Sequence, residues 1–337
     1  MPSDQLIVLG TRRDPHIDWV CGHIEALGVN AQVIDHEAST PVKLEVGSNG
    51  SYNLVIEGEP LSGRFLIWHR VKLIRGMSLF PKGDVQIADL RAKEWRSLYR
   101  LIAKIFSDRT VNTPDSFMIM HKPYQQILAA QVGLSCPETL VSNTKSDILD
   151  FVQNQSGTIM KSLSGDNVLP KNIEEKPHVV MTMEVNEDQI AAADADSFSA
   201  CPHMVQTNVS KKYEIRAVVI DDLVFAFKIE SQIDAYYAID WRRGNATLEF
   251  TPFDLDDRVK AQLIAFNQKA GLFSGSFDLI VDLDGKHWFL ECNQDGQWGW
   301  LDKIVDGAIS KAFAHAFKNK IATLPFHNLN SSPLSAA

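Results

Sequence analysis

The chain has 337 residues, is 45% hydrophobic, and carries 33 Lys and Arg against 42 Asp and Glu, a formal net charge of −9. That length suits two or three lobes with real cores, and the acidic balance argues against a nucleic-acid partner, whose binding needs a basic footprint. No stretch approaches a membrane span, the opening MPSDQLIVLG is no signal peptide, and Cys21, Cys136, Cys201 and Cys292 form neither a disulfide pattern nor a metal-ligand pair. A cytoplasmic enzyme without membrane contact is expected.

Residues 1–86 read as a small α/β unit. LIVLG (6–10) is a buried strand, 16–28 a helix ending at Gly28, and AQVID (31–35) a second strand; extended runs follow at Tyr52–Ile56 and Arg64–Trp68. RDPHIDWV between the first strand and helix reads as a surface turn. Residues 88–106 form an amphipathic helix with Trp95, Leu98, Ile102 and Ile105 on one stripe. A second helix starts at Pro123 and stops at Gly133, and ETLVSN is a strand leading to a short helix capped by Ser146.

From about residue 157 the chain is rich in strands: TIMKSL (158–163), VVMTMEV (179–185), HMVQ (203–206), and EIRAVVI–DD–LVFAFKI (214–229), a hairpin turning on Asp221–Asp222. Residues 186–200 are a loop or short helix. A helix near 256–270, the hairpin GSFDLIVDL–DG–KHWFLECN and a final helix near 303–318 complete an α+β pattern without internal repeats.

Asp284–Gly285 is the strongest two-residue turn signal. A type I′ turn there pairs Leu283 with Lys286, Val281 with Trp288, Leu279 with Leu290, Asp278 with Glu291, and Ser276 with Asn293. The period of two then gathers Asp278, Glu291 and Asn293 on one face, with His287 on the same face and Cys292 on the other. Like charges opposed across a ladder are unfavourable unless neutralised. Two carboxylates and an amide suit Mg²⁺, with Mn²⁺ as an alternative, rather than Zn²⁺. The competing reading is a solvated acidic hairpin edge, which the following GQWGW (296–300) disfavours, because two glycines and two tryptophans there suit a loop closing over something.

Lys161 lies inside an apolar strand, where an unpaired ammonium is costly. A nucleotide phosphate or base is one explanation, with SLSGD beyond it offering backbone N–H groups; an edge lysine reaching outward is the other. Arg216, Lys228 and the Trp241–Arg242–Arg243 run add cations suited to a triphosphate. No P-loop, nucleophile elbow or zinc-protease motif is present.

The segments TIMKSLSG, HMVQTNV, EIR, DLI and ECN together resemble the ATP-grasp ligases. AKEWRSLYRLIA, VNTPDSF, HKPYQQILAAQVGLSCPETLVSN, KKYEIRAVVI, SQ…DWRR, GLFSGSFDLI and FLECNQDGQWGWLD narrow the resemblance to the RimK-related synthetases that cyclise ribosomal peptides, the microviridin-type or graspetide macrocyclases. The likeness covers residues 60–318, with the N-terminal lobe more loosely matched.

The resemblance implies an ATP-grasp fold of mixed α+β and α/β character. It divides into an N-terminal pre-grasp domain with linking helix (1–118), a central subdomain (119–205), a C-terminal grasp subdomain (206–325) and a tail (326–337), with ATP between the central and grasp lobes. Lys122 and Lys161 match lysines that contact phosphates and base, and Lys228 adds a cation. Gln206, Thr207, Asn208 and Val209 match the hinge that carries adenine. Arg216 and Arg243 match arginines near the terminal phosphate and acyl group, and Asp278, Glu291 and Asn293 match the metal triad. Where the family has Asn-Pro-Asn-Gly-Gln-Trp, this chain has Asn293-Gln294-Asp295-Gly296-Gln297-Trp298, a departure that bears on metal affinity or substrate approach.

The implied partner is a ribosomal precursor peptide with a leader segment, for which helix 88–106 and residues 179–200 are candidate surfaces; a homodimer is compatible with the family. The implied reaction activates a side-chain carboxylate with ATP as an acylphosphate, which a hydroxyl or amine of the same peptide displaces to give an ester or amide ring. Two alternatives share the ATP site: a RimK-like or glutathione-synthetase-like ligase joining separate substrates, and an inactive ATP-grasp module that binds peptide.

Overall fold

LIVLG is apolar on both faces because it is an inner strand of a parallel sheet covered on both sides, the setting in which strands lose their alternation. β1 (Gln5–Gly10) pairs in parallel with β2 (Asn30–Asp35) and with β6 (Phe65–His69), which pairs in parallel with β7 (Thr110–Val111). β3 (Val42–Val46), β4 (Tyr52–Ile56) and β5 (Glu59–Pro60) make a separate antiparallel sheet.

A computed structural model describes residues 4–71, 85–119, 121–163, 167–168, 178–179, 181–233, 239–241 and 248–328. By packing the chain divides into one unit of Met1–Ser116, Gly271–Ser274 and Gln294–Ala337, and a second of Phe117–Ala270 and Gly275–Asn293. No described helix is long and apolar enough to cross a membrane.

In the first unit the period of two sorts β6 between two cores. Phe65 and Ile67 join Ile7, Leu9, Tyr99, Ile102 and Phe106 on the face covered by the helix Val85–Ile105 and by Leu54 and Ile56 of β4. Trp68 points the other way and stacks on Phe313, 5.7 Å between ring centroids, in the helix Ala308–Thr323. That helix also packs on the helix Pro15–Ala26. The expected last helix is therefore two, Gly299–Ile304 and Ala308–Thr323, separated by Asp306 and Gly307 in left-handed conformations.

One expectation fails here and one is met, both through long-range packing. Asp14 and His16 are buried, not in a surface turn. Asp14 caps the helix Pro15–Ala26 by accepting from His16 N, accepts from Nδ1 of the His16 ring, and accepts from Arg70 Nε at 2.8 Å. His16 Nε2 accepts from the backbone N–H groups of Trp298 and Gly299 at 3.1 and 2.9 Å. The GQWGW segment thus closes over this unit's own core, with buried Trp298 stacked on Phe313. Asn112, buried with φ of 52°, ties the segment ends within the same unit: its amide donates to Ser274 O and Gln294 O and accepts from Phe273 N and Ser274 N.

The second unit holds two antiparallel sheets and a short pair. β8 (Thr139–Ser142), β9 (Thr158–Lys161), β12 (Met183–Val185) and β13 (His203–Thr207) are ordered β12-β9-β13-β8, and β10 (Asn167–Val168) pairs with β11 (His178–Val179). Val205 and Met160 face a core with Ile148, Val152, Ile190 and Phe198 from the helices Lys145–Gln153, Glu187–Ala192 and Ala195–Ser199. Segment 186–200 is thus two short helices, and Thr144, not Ser146, is the cap residue of the helix Lys145–Gln153, without a side-chain bond to it.

The larger sheet joins β14 (Lys211–Ile220), β15 (Leu223–Ile229), β16 (Phe250–Pro252), β17 (Ser274–Asp282) and β18 (His287–Asn293) in the order β16-β15-β14-β17-β18. The hairpin turn falls at Asp221–Asp222 as expected, with Ile220 opposite Leu223. Phe266 of the helix Asp257–Lys269 packs against Phe277 and Phe289 on one face of this sheet.

His69, at the end of β6, is buried, and burial first and the positive charge of Arg100 second push its pKa down to about 4. An unfolded chain holds the same imidazole near 6.5, so below that value the unfolded state binds more protons and stability falls with pH, the loss growing until about pH 4. Above 6.5 the residue contributes no slope. Thermal melts across this range should show a falling Tm that is shallower in His69→Gln; equal slopes for the two proteins would contradict the assignment.

Candidate active site

The hairpin of β17 and β18 decides which side chains meet. Strand pairing ends at Val281 opposite His287, and Asp282 N donates to Lys286 O at 3.0 Å. Three residues, Leu283, Asp284 and Gly285, lie between, with Gly285 at φ of 83°. This is the three-residue hairpin loop with a left-handed glycine, not the two-residue turn expected. Asp282 selects it: its carboxylate accepts from Asp284 N, Lys286 N and Trp288 Nε1 at 3.0, 2.8 and 2.8 Å. Those bonds, the Trp288 one foremost, hold its pKa below the usual carboxylate range.

The extra loop residue shifts the ladder by one, so Leu279 faces Phe289 and Ile280 faces Trp288. A β-bulge between Asp278 and Leu279, with Leu290 as the unpaired residue, shifts it back. Beyond the bulge Asp278 faces Glu291 and Ser276 faces Asn293, as the two-residue turn would have had it. Two departures cancel. His287 pays no part of this: opposite Val281, it lies on the other face from Asp278, against expectation. Cys292 is buried and points away, toward Gly275.

Asp278, Leu290 and Glu291 line a cavity of about 320 Å³ in the second unit, the size of a small-molecule site. Its charges come in pairs. Arg216, from β14, donates to Asp278 Oδ1 at 2.9 Å, and both side chains are buried. Lys211 contacts Glu214 at 2.6 Å, and burial, the largest influence, still raises the Glu214 pKa. Lys122, first in the helix Lys122–Gln131, donates to Ser162 O at 3.1 Å and stands 4.0 Å from Glu291.

One face of the smaller sheet supplies the opposite wall, through Ile159, Lys161 and Gln206. Lys161 Nζ donates to Gln206 Oε1 at 2.8 Å. The segment 206–209 follows: Thr207 N donates to Glu138 O, Asn208 N to Gly157 O, and Thr207 Oγ1 to Gln155 Oε1. Gln206, Thr207, Asn208 and Val209 all line the cavity.

The cavity therefore brings together Lys122, Lys161, Gln206 to Val209, Asp278 and Glu291, with Arg216 bonded to the rim. Asn293 shares the Glu291 face of β18 by alternation and is exposed. Lys228 does not join them. It faces Ile215 across the ladder, on the sheet face opposite Glu214 and Arg216, where it pairs with Glu230 and lies over the Tyr213 ring. Period two excludes it from the set. Arg243, with Arg242 and residues 164–166 of SLSGD, lies outside the described residues.

Sequence reasoning missed three contributors. Lys211 and Asp240 line the cavity, Lys211 also reaching Ile239 O at 3.3 Å. Gln125, buried on the helix Lys122–Gln131, accepts from Cys292 N at 2.7 Å, between Glu291 and Asn293. It fixes the edge strand that carries both residues to the helix that carries Lys122. The only sequence signal was a polar residue on the helix's apolar side.

Among the described residues no three His, Cys, Asp or Glu side chains converge as a ready-made ion site. The donors present, two carboxylates opposed across a ladder with an amide beyond, fit a hard divalent cation.

No protein-family model matches the chain, and no curated protein matches it. Among solved structures, a RiPP-associated ATP-grasp ligase of Chryseobacterium gregarium, in complex with ADP and a leader and core peptide, superposes with a TM-score of 0.82 at 21% identity, covering 98% of this chain and 100% of that one. The macrocyclase MdnC of Microcystis aeruginosa MRC, bound with the precursor peptide MdnA, gives 0.77 at 25% identity over 94% and 99%. The ATP-grasp ligase PsnB, complexed with a phosphomimetic minimal precursor, Mg and ADP, gives 0.73 at 19% over 94% and 98%. The chain has the ATP-grasp fold.

Removing one partner of a buried ion pair strands the other. Arg216→Met should cost about 3–5 kcal/mol by urea unfolding, and Arg216→Met with Asp278→Asn should recover part of it. Additive losses in the double variant would show that the two charges do not support one another.

Proposed function

We propose that this chain is an ATP-dependent ligase that modifies a ribosomally made precursor peptide, closing ester or amide rings within it. The observation that carries the reading is the cavity where Lys122, Lys161 and segment 206–209 meet the Asp278–Glu291 pair and Arg216, on a fold shared end to end with a ligase seen with ADP, leader and core peptide.

In this reading residues 1–118 are the pre-grasp domain, 119–205 the central subdomain, 206–325 the grasp subdomain, whose residues Gly271–Ser274 and those from Gln294 on pack within the first unit, and 326–337 a tail. Adenine lies against segment 206–209. The triphosphate runs toward Lys122 and the β17–β18 hairpin, with Lys161 supplying charge along it. Asp278, Glu291 and Asn293 would hold Mg²⁺, which when bound would neutralise phosphate charge as a Lewis acid.

A peptide carboxylate oxygen attacks the γ-phosphorus; the bond to the β–γ bridging oxygen breaks, and ADP leaves with that electron pair. Arg216 and Lys122 stabilise the negative charge on the transferring group. A hydroxyl or amine of the same peptide then attacks the acyl carbon, loses its proton, and expels phosphate. No protein nucleophile is needed, so the chain's work is positioning and electrostatics. The Arg216–Asp278 contact holds the guanidinium in place before substrate arrives. A cytoplasmic location belongs to the same proposal, supported by four cysteines that form no disulfide.

The test is incubation of the protein with ATP, Mg²⁺ and short acidic, hydroxyl-rich peptides encoded beside its gene, followed by mass spectrometry and ADP assay. Ring closure gives loss of one water mass per ring, with matching ADP. A gain of an amino-acid residue mass would instead identify a ligase joining two molecules. Well-folded protein that releases no ADP across a broad peptide set would count against ligase chemistry.

A further inference from the structure

Lys161 points its ammonium at Gln206 Oε1, 2.8 Å away, and Gln206 is 1% exposed. An amide has two ends of similar shape, and only one can face an ammonium. The other end settles which: Gln206 Nε2 donates to Thr139 Oγ1 at 2.9 Å. The Thr139 hydroxyl proton is itself used, donated to Pro137 O at 3.2 Å, which leaves its oxygen as an acceptor. Thr139 and Gln206 are direct cross-strand partners on β8 and β13, and Ile159, opposite Gln206 on β9, shares a face with Lys161. Every donor in the row therefore points in one direction, from Lys161 through Gln206 and Thr139 to a backbone carbonyl. A flipped Gln206 would set an N–H₂ against the ammonium and leave a buried acceptor facing the Thr139 oxygen.

We propose that Thr139, which does not itself line the cavity, is a positioning residue for the nucleotide: it sets the orientation of the Gln206 amide, and the amide holds the Lys161 ammonium toward the bound phosphates and base. The inference rests on the ligase reading only in taking the cavity as the ATP site, and it concerns ATP binding rather than peptide chemistry. Valine at position 139 has the volume and the strand preference of threonine but no acceptor, so it removes the directional cue with little change in shape.

The test is ATP and ADP affinity by calorimetry on the full chain, with thermal melts alongside. Thr139→Val should weaken binding about five- to tenfold, the size of one buried hydrogen bond. Thr139→Ser, which keeps the hydroxyl, should bind within about twofold of wild type. In a Lys161→Met background, Thr139→Val should change affinity by less than about twofold, because the group it orients is gone. Unaltered binding by folded Thr139→Val, no rescue by serine, or the same loss in the Lys161→Met background would each overturn the proposal. Wild-type protein that binds no ATP would overturn the ligase reading and this inference with it, whereas wild-type binding with an unresponsive Thr139→Val overturns the inference alone.

Discussion

Burying a carboxylate without a partner is among the most expensive things a fold can do, and the cavity of the second unit buries several. Asp278 sits against Arg216, Glu214 against Lys211, and Glu291 within reach of Lys122. Lys211 and Glu214 share β14, but Arg216 and Lys122 come from elements other than those of their partners, so the charge requirement fixes strand β14 against β17 and the helix Lys122–Gln131 against β18. The proposed phosphate-binding chemistry would use groups whose mutual position the fold already had to enforce.

The same logic extends to uncharged groups. Gln125 takes the backbone N–H of Cys292 on an edge strand, and Thr139 orients Gln206 beneath Lys161. Both are buried or half-buried polar side chains with one directional bond toward the site. Neither touches a substrate in the proposed reaction, yet Gln125 holds the strand that carries Glu291 and Asn293, and Thr139 holds the Gln206 amide that lines the cavity. A site that works by positioning depends on this second layer as much as on the residues lining the cavity.

The β17–β18 hairpin shows how much a local signal can and cannot say. Asp284–Gly285 marked a turn correctly, but Asp282, with three hydrogen bonds of its own, lengthened the loop by one residue. Left alone, that shift would have moved Glu291 out of line with Asp278. The bulge at Leu290 restores the pairing, and nothing in the string FLECN announces it. Lys228 and His287 went the other way. Both sit on strands whose existence was legible; Lys228 falls on the wrong face for a nucleotide contact and His287 on the face opposite the one expected, because face depends on register and register on loop length.

The sequence alone determined the order of the longer elements, the mixed helix and strand character, both hairpins, and the types of residue available to a nucleotide and a hard cation. Those follow from local periodicity and turn chemistry, which act within a few residues. Only the tertiary structure decided that residues after Asn293 rejoin the first unit, where Trp298 stacks on Phe313 and His16 takes two of their backbone N–H groups. It also decided which lysines reach the cavity, and that Gln125 and Thr139 bond to residues that line or flank it. Those outcomes rest on contacts between residues tens to hundreds of positions apart, and no local pattern encodes a partner that distant.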